Sequence, residues 1–161
     1  MMEGKKNNSK MMKERFTYKG FPTVCCGFST WKGNIQGIEI NIVISLDYNA
    51  NYTNIDLANQ LLIPEMNIIR KEDYFRIKEL QVTIDEYEYI SQFYVTTMYQ
   101  EEVDIVIGLP WFKSLGTFIL NMDKKFVTFP YKEKMITLQD TTSKPDSVTP
   151  EDFNDISEKI L

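Results

Sequence analysis

Histidine is absent from this chain of 161 residues. Its absence excludes Ser-His-Asp and Cys-His catalysis, histidine-bearing metal sites and the side chain that most often titrates near neutral pH. Cysteine occurs only as the neighbouring pair Cys25 and Cys26. Because adjacent residues of an extended chain point to opposite faces, we interpret both as structural thiols in a reducing compartment. Few types of reaction remain open to the chain.

Long apolar runs are also absent from the sequence. No run approaches the ~20 residues that a membrane-spanning helix needs, and the lysine-rich start lacks the apolar core of a signal peptide. The sequence therefore predicts an intracellular protein, cytoplasmic or nuclear, without a membrane partner. The 23 acidic residues outnumber the 18 basic ones and give a net charge of −5. Binding to nucleic acid is disfavoured by this balance.

Charge is distributed with opposite signs at the two ends of the chain. Residues 1–20 have a net charge of +4 and are predicted to form a basic flexible arm. Residues 134–161 are assigned to an acidic tail, with a net charge of −4 from Asp140 onward. After Thr149, a first-turn proline, acidic residues and apolar residues at helical spacing predict a short amphipathic helix over 150–161.

The remaining residues, 21–133, have the pattern of one mostly β domain with one or two short helices. Alternation and β-branched residues predict strands over 35–45, 80–84, 89–97, 104–108, 117–122 and 126–131. Helical spacing is confined to residues 54–62 and to a turn at about 111–115. Leu46, Ile105, Ile107 and Trp111 are assigned to one core.

Two separated blocks of sequence carry a recognisable motif. The first is Ile44-Ser45-Leu46-Asp47-Tyr48-Asn49-Ala50, which a helical pattern from Ile55 to Pro64 follows. The second is Asp104-Ile105-Val106-Ile107-Gly108-Leu109-Pro110-Trp111. In order and spacing, residues 23–131 resemble the retropepsin-like aspartic proteases, particularly those of gypsy-type LTR retrotransposon polyproteins. That family has Asp-Ser/Thr-Gly-Ala, a helix, Asp-apolar-apolar-apolar-Gly-x-x-Trp and a closing hairpin.

The resemblance implies a retropepsin-like closed β-barrel over residues 21–133 that uses no cofactor and no metal. In this family two aspartates, one from each subunit, share a proton and activate a water molecule. The resemblance therefore implies a C₂ homodimer that acts on a peptide or polyprotein segment. The family's site corresponds here to the catalytic Asp47, its turn neighbours Tyr48, Asn49 and Ala50, and the substrate-groove residues Ile107 and Gly108.

The catalytic turn departs from the family's pattern at two positions. Tyr48 stands where the family has a short hydroxyl that bonds across the dimer axis. The tyrosine hydroxyl lies at the far end of a rigid ring, so we expect the ring to leave the site or to push the loops apart. Asn49 replaces glycine and is the best non-glycine residue for a positive φ. Between Pro64 and Leu80, a charged segment without glycine predicts a shortened or recast flap.

These departures favour a retropepsin-fold domain of retrotransposon-polyprotein descent with weakened or lost proteolysis and retained dimerisation or peptide binding. One alternative is an active aspartic endopeptidase that processes its own polyprotein. A second alternative is a monomeric interaction module that uses its tails. The other acids considered, Asp56, Asp85 and Asp104, are assigned structural roles.

Overall fold

The structure, a computed structural model, describes residues 15–17, 20, 22, 27 and 29–140. The predicted helix over 150–161, Cys25 and Cys26 lie outside the described residues. The strands are β1 (Ser29–Ile35), β2 (Ile38–Ile44), β3 (Tyr52–Asn54), β4 (Ile68–Arg70), β5 (Phe75–Ile84), β6 (Tyr87–Thr96), β7 (Ile105–Ile107), β8 (Ile119–Asn121), β9 (Phe126–Tyr131) and β10 (Lys134–Gln139). The helices are α1 (Ile55–Gln60), a 3₁₀ turn (Glu65–Asn67) and α2 (Leu109–Ser114). None of these described helices is long and apolar enough to cross a lipid bilayer.

Seven strands form one sheet in the order β1-β2-β7-β3-β6-β5-β4. The first strand also pairs with β5, at Asn34 and Thr83, so that six strands close into a barrel and β4 lies outside the ring. The pairs β2–β7 and β3–β6 are parallel, whereas β3 and β7 are antiparallel. The predicted mostly β fold, a closed barrel with one or two short helices, is confirmed.

Alternation of apolar residues explains how β1 and β2 enter the core. Ile40, Ile42 and Ile44 point into the barrel and have almost no exposed surface. The two strands form an antiparallel hairpin around Gln36 and Gly37, which have φ values of 52° and 84°. Both values lie in the left-handed region, as a tight hairpin turn of this length requires.

Large aromatic side chains fill the centre of the barrel. The rings of Trp31 and Trp111 meet edge to face with their centroids 5.3 Å apart. The indole N–H of Trp111 donates a hydrogen bond of 2.7 Å to the Tyr87 hydroxyl. Burial raises the pKa of Tyr87 to about 12. Trp111 therefore belongs to the core, as the sequence predicts.

The second sheet extends the folded domain beyond the predicted boundary. Strands β10, β9 and β8 form an antiparallel sheet, and β10 begins at residue 134, where the sequence predicts the start of an acidic tail. Ile136 and Leu138 are buried and Thr137 between them is exposed, so this segment alternates as a strand does. Asp140 is also buried and accepts a hydrogen bond of 2.9 Å from the backbone N–H of Thr30.

The predicted basic flexible arm also contains a residue that is part of the core. Phe16 has no exposed surface, and its ring lies 5.4 Å from that of Phe75 in an edge-to-face contact. The charged neighbours of Phe16 dominate the local composition, which explains why the sequence assigns this position to a solvated arm. The structure corrects that assignment for residues 15 and 16.

Candidate functional site

The Asp47 turn begins where the parallel strands β2 and β7 end. The backbone N–H of Ser45 donates a hydrogen bond of 2.9 Å to the carbonyl of Ile107, which continues the pairing of the two strands. The buried Ser45 hydroxyl accepts a bond of 3.2 Å from the backbone N–H of Asp47. Asp47 is exposed. A single exposed carboxylate therefore lies at the carboxyl end of two parallel strands.

Gly108 gives the turn room to approach β7. A Cβ atom at this position would lie 2.5 Å from the carbonyl oxygen of Ala50 and 2.6 Å from that of Tyr48. Both distances are far inside van der Waals contact. The carbonyl of Tyr48 also accepts a bond of 2.8 Å from the N–H of Leu109. Glycine is thus required by the close approach of two backbones, not by an unusual dihedral angle.

Asn51, which the motif in the sequence does not include, joins the turn to β6 and to the residue that follows β7. Its Oδ1 accepts the N–H of Gly108 at 2.8 Å, and its Nδ2 donates to the Tyr89 hydroxyl at 3.0 Å. Its backbone carbonyl accepts the N–H of Tyr94 at 2.9 Å. Only 1% of Asn51 is exposed, so these bonds satisfy a buried amide. The indication of this role that the sequence offers is an asparagine directly after the turn, but the sequence alone does not show that its side chain is buried.

The Tyr48 ring lies on the outer face of the barrel. Its centroid is 5.7 Å from that of Tyr52, in an edge-to-face contact. Both tyrosines pack on a small apolar cluster formed by Val43, Met98, Val103 and Val106. The sequence predicts that this ring either leaves the site or pushes the loops apart. In the structure the ring has left the turn and packs on Tyr52.

The register of the strands continues this face across the sheet. Val43 and Val106 are opposite each other, Val106 is opposite Tyr52, Tyr52 is opposite Tyr94, and Tyr94 is opposite Arg76. We call these five residues the outer row. The rings of Tyr52 and Tyr94 are 6.0 Å apart, and the Arg76 guanidinium lies 5.9 Å from the Tyr94 ring. Burial, with a smaller effect of Tyr94, raises the pKa of Tyr52.

A short hairpin stands where the sequence predicts a shortened or recast flap. Strands β4 and β5 pair over three residues from Ile68 to Arg70, and the N–H of Lys71 donates to the carbonyl of Tyr74 at 2.9 Å. The Tyr74 ring lies 5.3 Å from that of Tyr94. The β4–β5 hairpin therefore borders the outer row at the end remote from Asp47.

Two residues of the motif differ in burial from what the sequence predicts. Leu46, assigned to the core, is 43% exposed because it belongs to the projecting turn and not to β2. Ile107, assigned to the substrate groove, has no exposed surface and points into the barrel. Since neighbours on a strand alternate, Val106 lies on the other face of β7, in the outer row, where it is also buried. Gly108 is buried, Ala50 is half-buried and Asn49 is exposed.

The other acids have structural positions. Asp104 accepts the backbone N–H of Asn41 at 2.9 Å, and partial burial raises its pKa, although that hydrogen bond and the charge of Lys32 oppose the shift. Asp56 is exposed in the first turn of α1, and Asp85 has a φ of 54° in the turn between β5 and β6. Within residues 29–140 and the few described before them, no three histidine, cysteine or acidic side chains are grouped to hold a metal.

Comparisons with known proteins give one kind of match. No protein-family model matches this chain, and no curated protein matches it. Among solved structures, the chain is similar to the retroviral protease-like domain of Ddi1 from Leishmania major, at 15% sequence identity and a TM-score of 0.48. The match covers 75% of this chain and 97% of that one.

Proposed function

We propose that this chain is a retropepsin-like domain that no longer hydrolyses peptides but binds them on the outer row and forms a homodimer through the Asp47 turn. The position of the Tyr48 ring is the observation that carries the proposal. The backbone of the turn is docked on Gly108, whereas the side chain after the aspartate has left the turn for the outer face.

Loss of hydrolysis follows from what a carboxylate pair needs. Two aspartates act together only when they lie about 3 Å apart and share one proton. In the family that the sequence resembles, a short hydroxyl after each aspartate bonds across the axis beneath them. Tyr48 supplies no hydroxyl at that position, because its ring packs on Tyr52. Asp47 is thus left without the group that would hold a second aspartate in place.

Peptide binding is supported by the chemistry of the outer row. Tyrosine and arginine are enriched at the centres of protein interfaces because they bury a large area and also form hydrogen bonds. Tyr52 and Tyr94 are half-buried, so parts of both rings face solvent beside the guanidinium of Arg76. An extended peptide with apolar side chains and one acidic side chain fits this combination.

The first prediction is that the wild-type chain has no acid-dependent peptidase activity. Purified protein is incubated with casein and with an apolar peptide substrate at pH 4 to 6, and the products are followed by mass spectrometry. Asp47→Asn is the matched variant, since it removes the charge and retains the shape of the side chain. We expect both proteins to leave the substrates intact.

Cleavage by the wild-type protein that Asp47→Asn abolishes would contradict this proposal. That outcome would instead support the active endopeptidase. A third variant, Tyr48→Ser with Asn49→Gly, restores the family's local pattern. Activity in this variant alone would show that the two substitutions, and not the short β4–β5 hairpin, are what prevents catalysis.

A further inference from the structure

Phe16 occupies a pocket on the side of the domain that carries α1 and the β4–β5 hairpin. Its ring has no exposed surface and meets Phe75 edge to face at 5.4 Å, whereas Thr17 is exposed. One aromatic side chain is therefore inserted into the domain next to a residue that faces solvent. This is the arrangement of an anchor in a bound peptide.

The backbone of Phe16 is held by one side chain. Its N–H donates to Oδ1 of Asn59 at 2.9 Å, and its carbonyl accepts from Nδ2 of the same amide at 3.2 Å. A side-chain amide that satisfies both polar groups of one residue acts like a neighbouring strand. Because Asn59 binds the backbone atoms of Phe16, the segment that contains Phe16 does not have to be close to α1 in the sequence.

Arg70 closes the pocket from β4. Its Nη1 donates to the carbonyl of Arg15 at 2.9 Å, and its guanidinium lies 5.9 Å from the Phe16 ring and 5.5 Å from the Phe75 ring. Glu65 fixes this guanidinium through a hydrogen-bonded ion pair of 2.7 Å. The cation is thus positioned over the anchoring ring by a carboxylate of the domain.

The side chain of Arg15 is recognised at the end of α1. Its guanidinium donates to the carbonyl of Ile63 and, at 3.5 Å, to that of Leu61. It also lies 4.0 Å from the carboxylate of Glu65. Backbone carbonyls just after a short helix prefer a cation, since they carry partial negative charge. The pocket therefore binds a basic residue as well as the aromatic residue that follows it.

We propose that α1 and the β4–β5 hairpin form a peptide-docking site for a basic residue followed by an aromatic one, and that Arg15 and Phe16 occupy this site in cis. Each hydrogen bond of Arg15 and Phe16 to α1, β4 or the residues after α1 joins positions that are 43 to 55 residues apart in the sequence. Such contacts are those of a ligand tethered to its receptor. This proposal is independent of the peptide-binding function proposed for the outer row.

Rescue by a peptide in trans tests the proposal. The full-length Phe16→Ala variant empties the pocket and is expected to have a lower Tm than the wild type. A synthetic peptide of residues 10–20, at millimolar concentration, should recover most of the lost Tm, because binding to the folded state stabilises it. The same peptide with alanine in place of the phenylalanine should recover none. Adding Asn59→Ala to the variant should abolish the rescue.

Phe93→Ala provides the matched control, because Phe93 is equally buried but lies on β6. This variant should lose stability without rescue by the same peptide. If Phe16→Ala does not fold, Phe16→Leu fills the pocket only in part, so that the peptide competes with residue 16 and should shift the side-chain amide resonances of Asn59. A folded variant whose Tm and Asn59 resonances do not respond to millimolar peptide would overturn the proposal.

Discussion

At the scale of single residues, two positions determine the geometry of the Asp47 turn. Gly108 leaves space for the carbonyl oxygens of Tyr48 and Ala50, and Asn51 satisfies the N–H of Gly108 from inside the barrel. Neither residue has chemistry that would act on a substrate. Both determine where the carboxylate of Asp47 stands relative to β7.

Gly108→Ala is predicted to destabilise the domain by about 1 to 3 kcal/mol, because the new methyl group would overlap two backbone oxygens. Thermal unfolding measures the loss, and the amide resonance of Asp47 reports displacement of the turn. Gly37→Ala is the control, since nothing lies within 4 Å of a Cβ there and only its φ of 84° opposes the change. Equal displacement of Asp47 by both variants would refute the proposed contact.

At the residue scale, a sequence motif constrains the order of residues along the chain but does not show which side chains are exposed. The motif identified Asp47 and Gly108, which the structure brings together at the ends of β2 and β7. It did not distinguish Ile107 from Val106, because β7 is apolar on both faces and gives no alternation. Leu46 follows an apolar strand, so it was assigned to the core although the chain has already entered the turn.

At the scale of secondary-structure elements, the predicted strands correspond to six of the ten strands in the described residues, with different ends, and β1, β3, β4 and β10 were not predicted. The hairpin predicted over 80–84 and 89–97 is present as β5 and β6, but β5 begins at Phe75. A register shift between Ile77 and Leu80 interrupts the alternation there, which hides the first half of the strand. β10 was missed for another reason, because it begins with Lys134 directly after the charged turn residues Lys132 and Glu133.

The outer row belongs to this scale, because five strands, β2, β7, β3, β6 and β5, bring its side chains together. Tyr94→Ala is predicted to weaken binding of fluorescein-labelled peptides that combine apolar residues with one glutamate, on the order of tenfold, as for a central interface residue. Fluorescence anisotropy with the full chain measures the affinity. Ile90→Ala is the control, since Ile90 is 57% exposed on the same strand but outside the row. Equal weakening by both would remove the outer row from the binding face.

At the scale of the whole molecule, one closed barrel presents a projecting turn with an apolar tip. Leu46 is 43% exposed directly beside Asp47, and a single chain gives it no cover in the described part. A two-fold contact through this turn would bury Leu46 of both copies and bring the two Asp47 residues near the axis. The exposed leucine is thus the feature that supports a homodimer.

Light scattering should therefore report a particle of about twice the 18.9 kDa of the chain. Leu46→Glu is predicted to convert it to a monomer without loss of fold, because a charge would then be buried at the contact. Met135→Glu, at a residue 58% exposed on β10, should leave the dimer intact. A wild-type protein that remains monomeric at high micromolar concentration would exclude the dimer.

The barrel closes at one point only, where Asn34 of β1 pairs with Thr83 of β5. Gly33 makes this approach possible, since a Cβ there would lie 2.9 Å from the carbonyl oxygen of Thr83. Every other neighbouring pair of strands in the ring shares at least two paired positions. Separation of β1 from β5 at this single pair would therefore open the barrel into a sheet, while the hydrogen bonds between the other pairs of strands remain. We therefore expect local opening of the domain to begin between β1 and β5, on the side of the hairpin formed by β1 and β2.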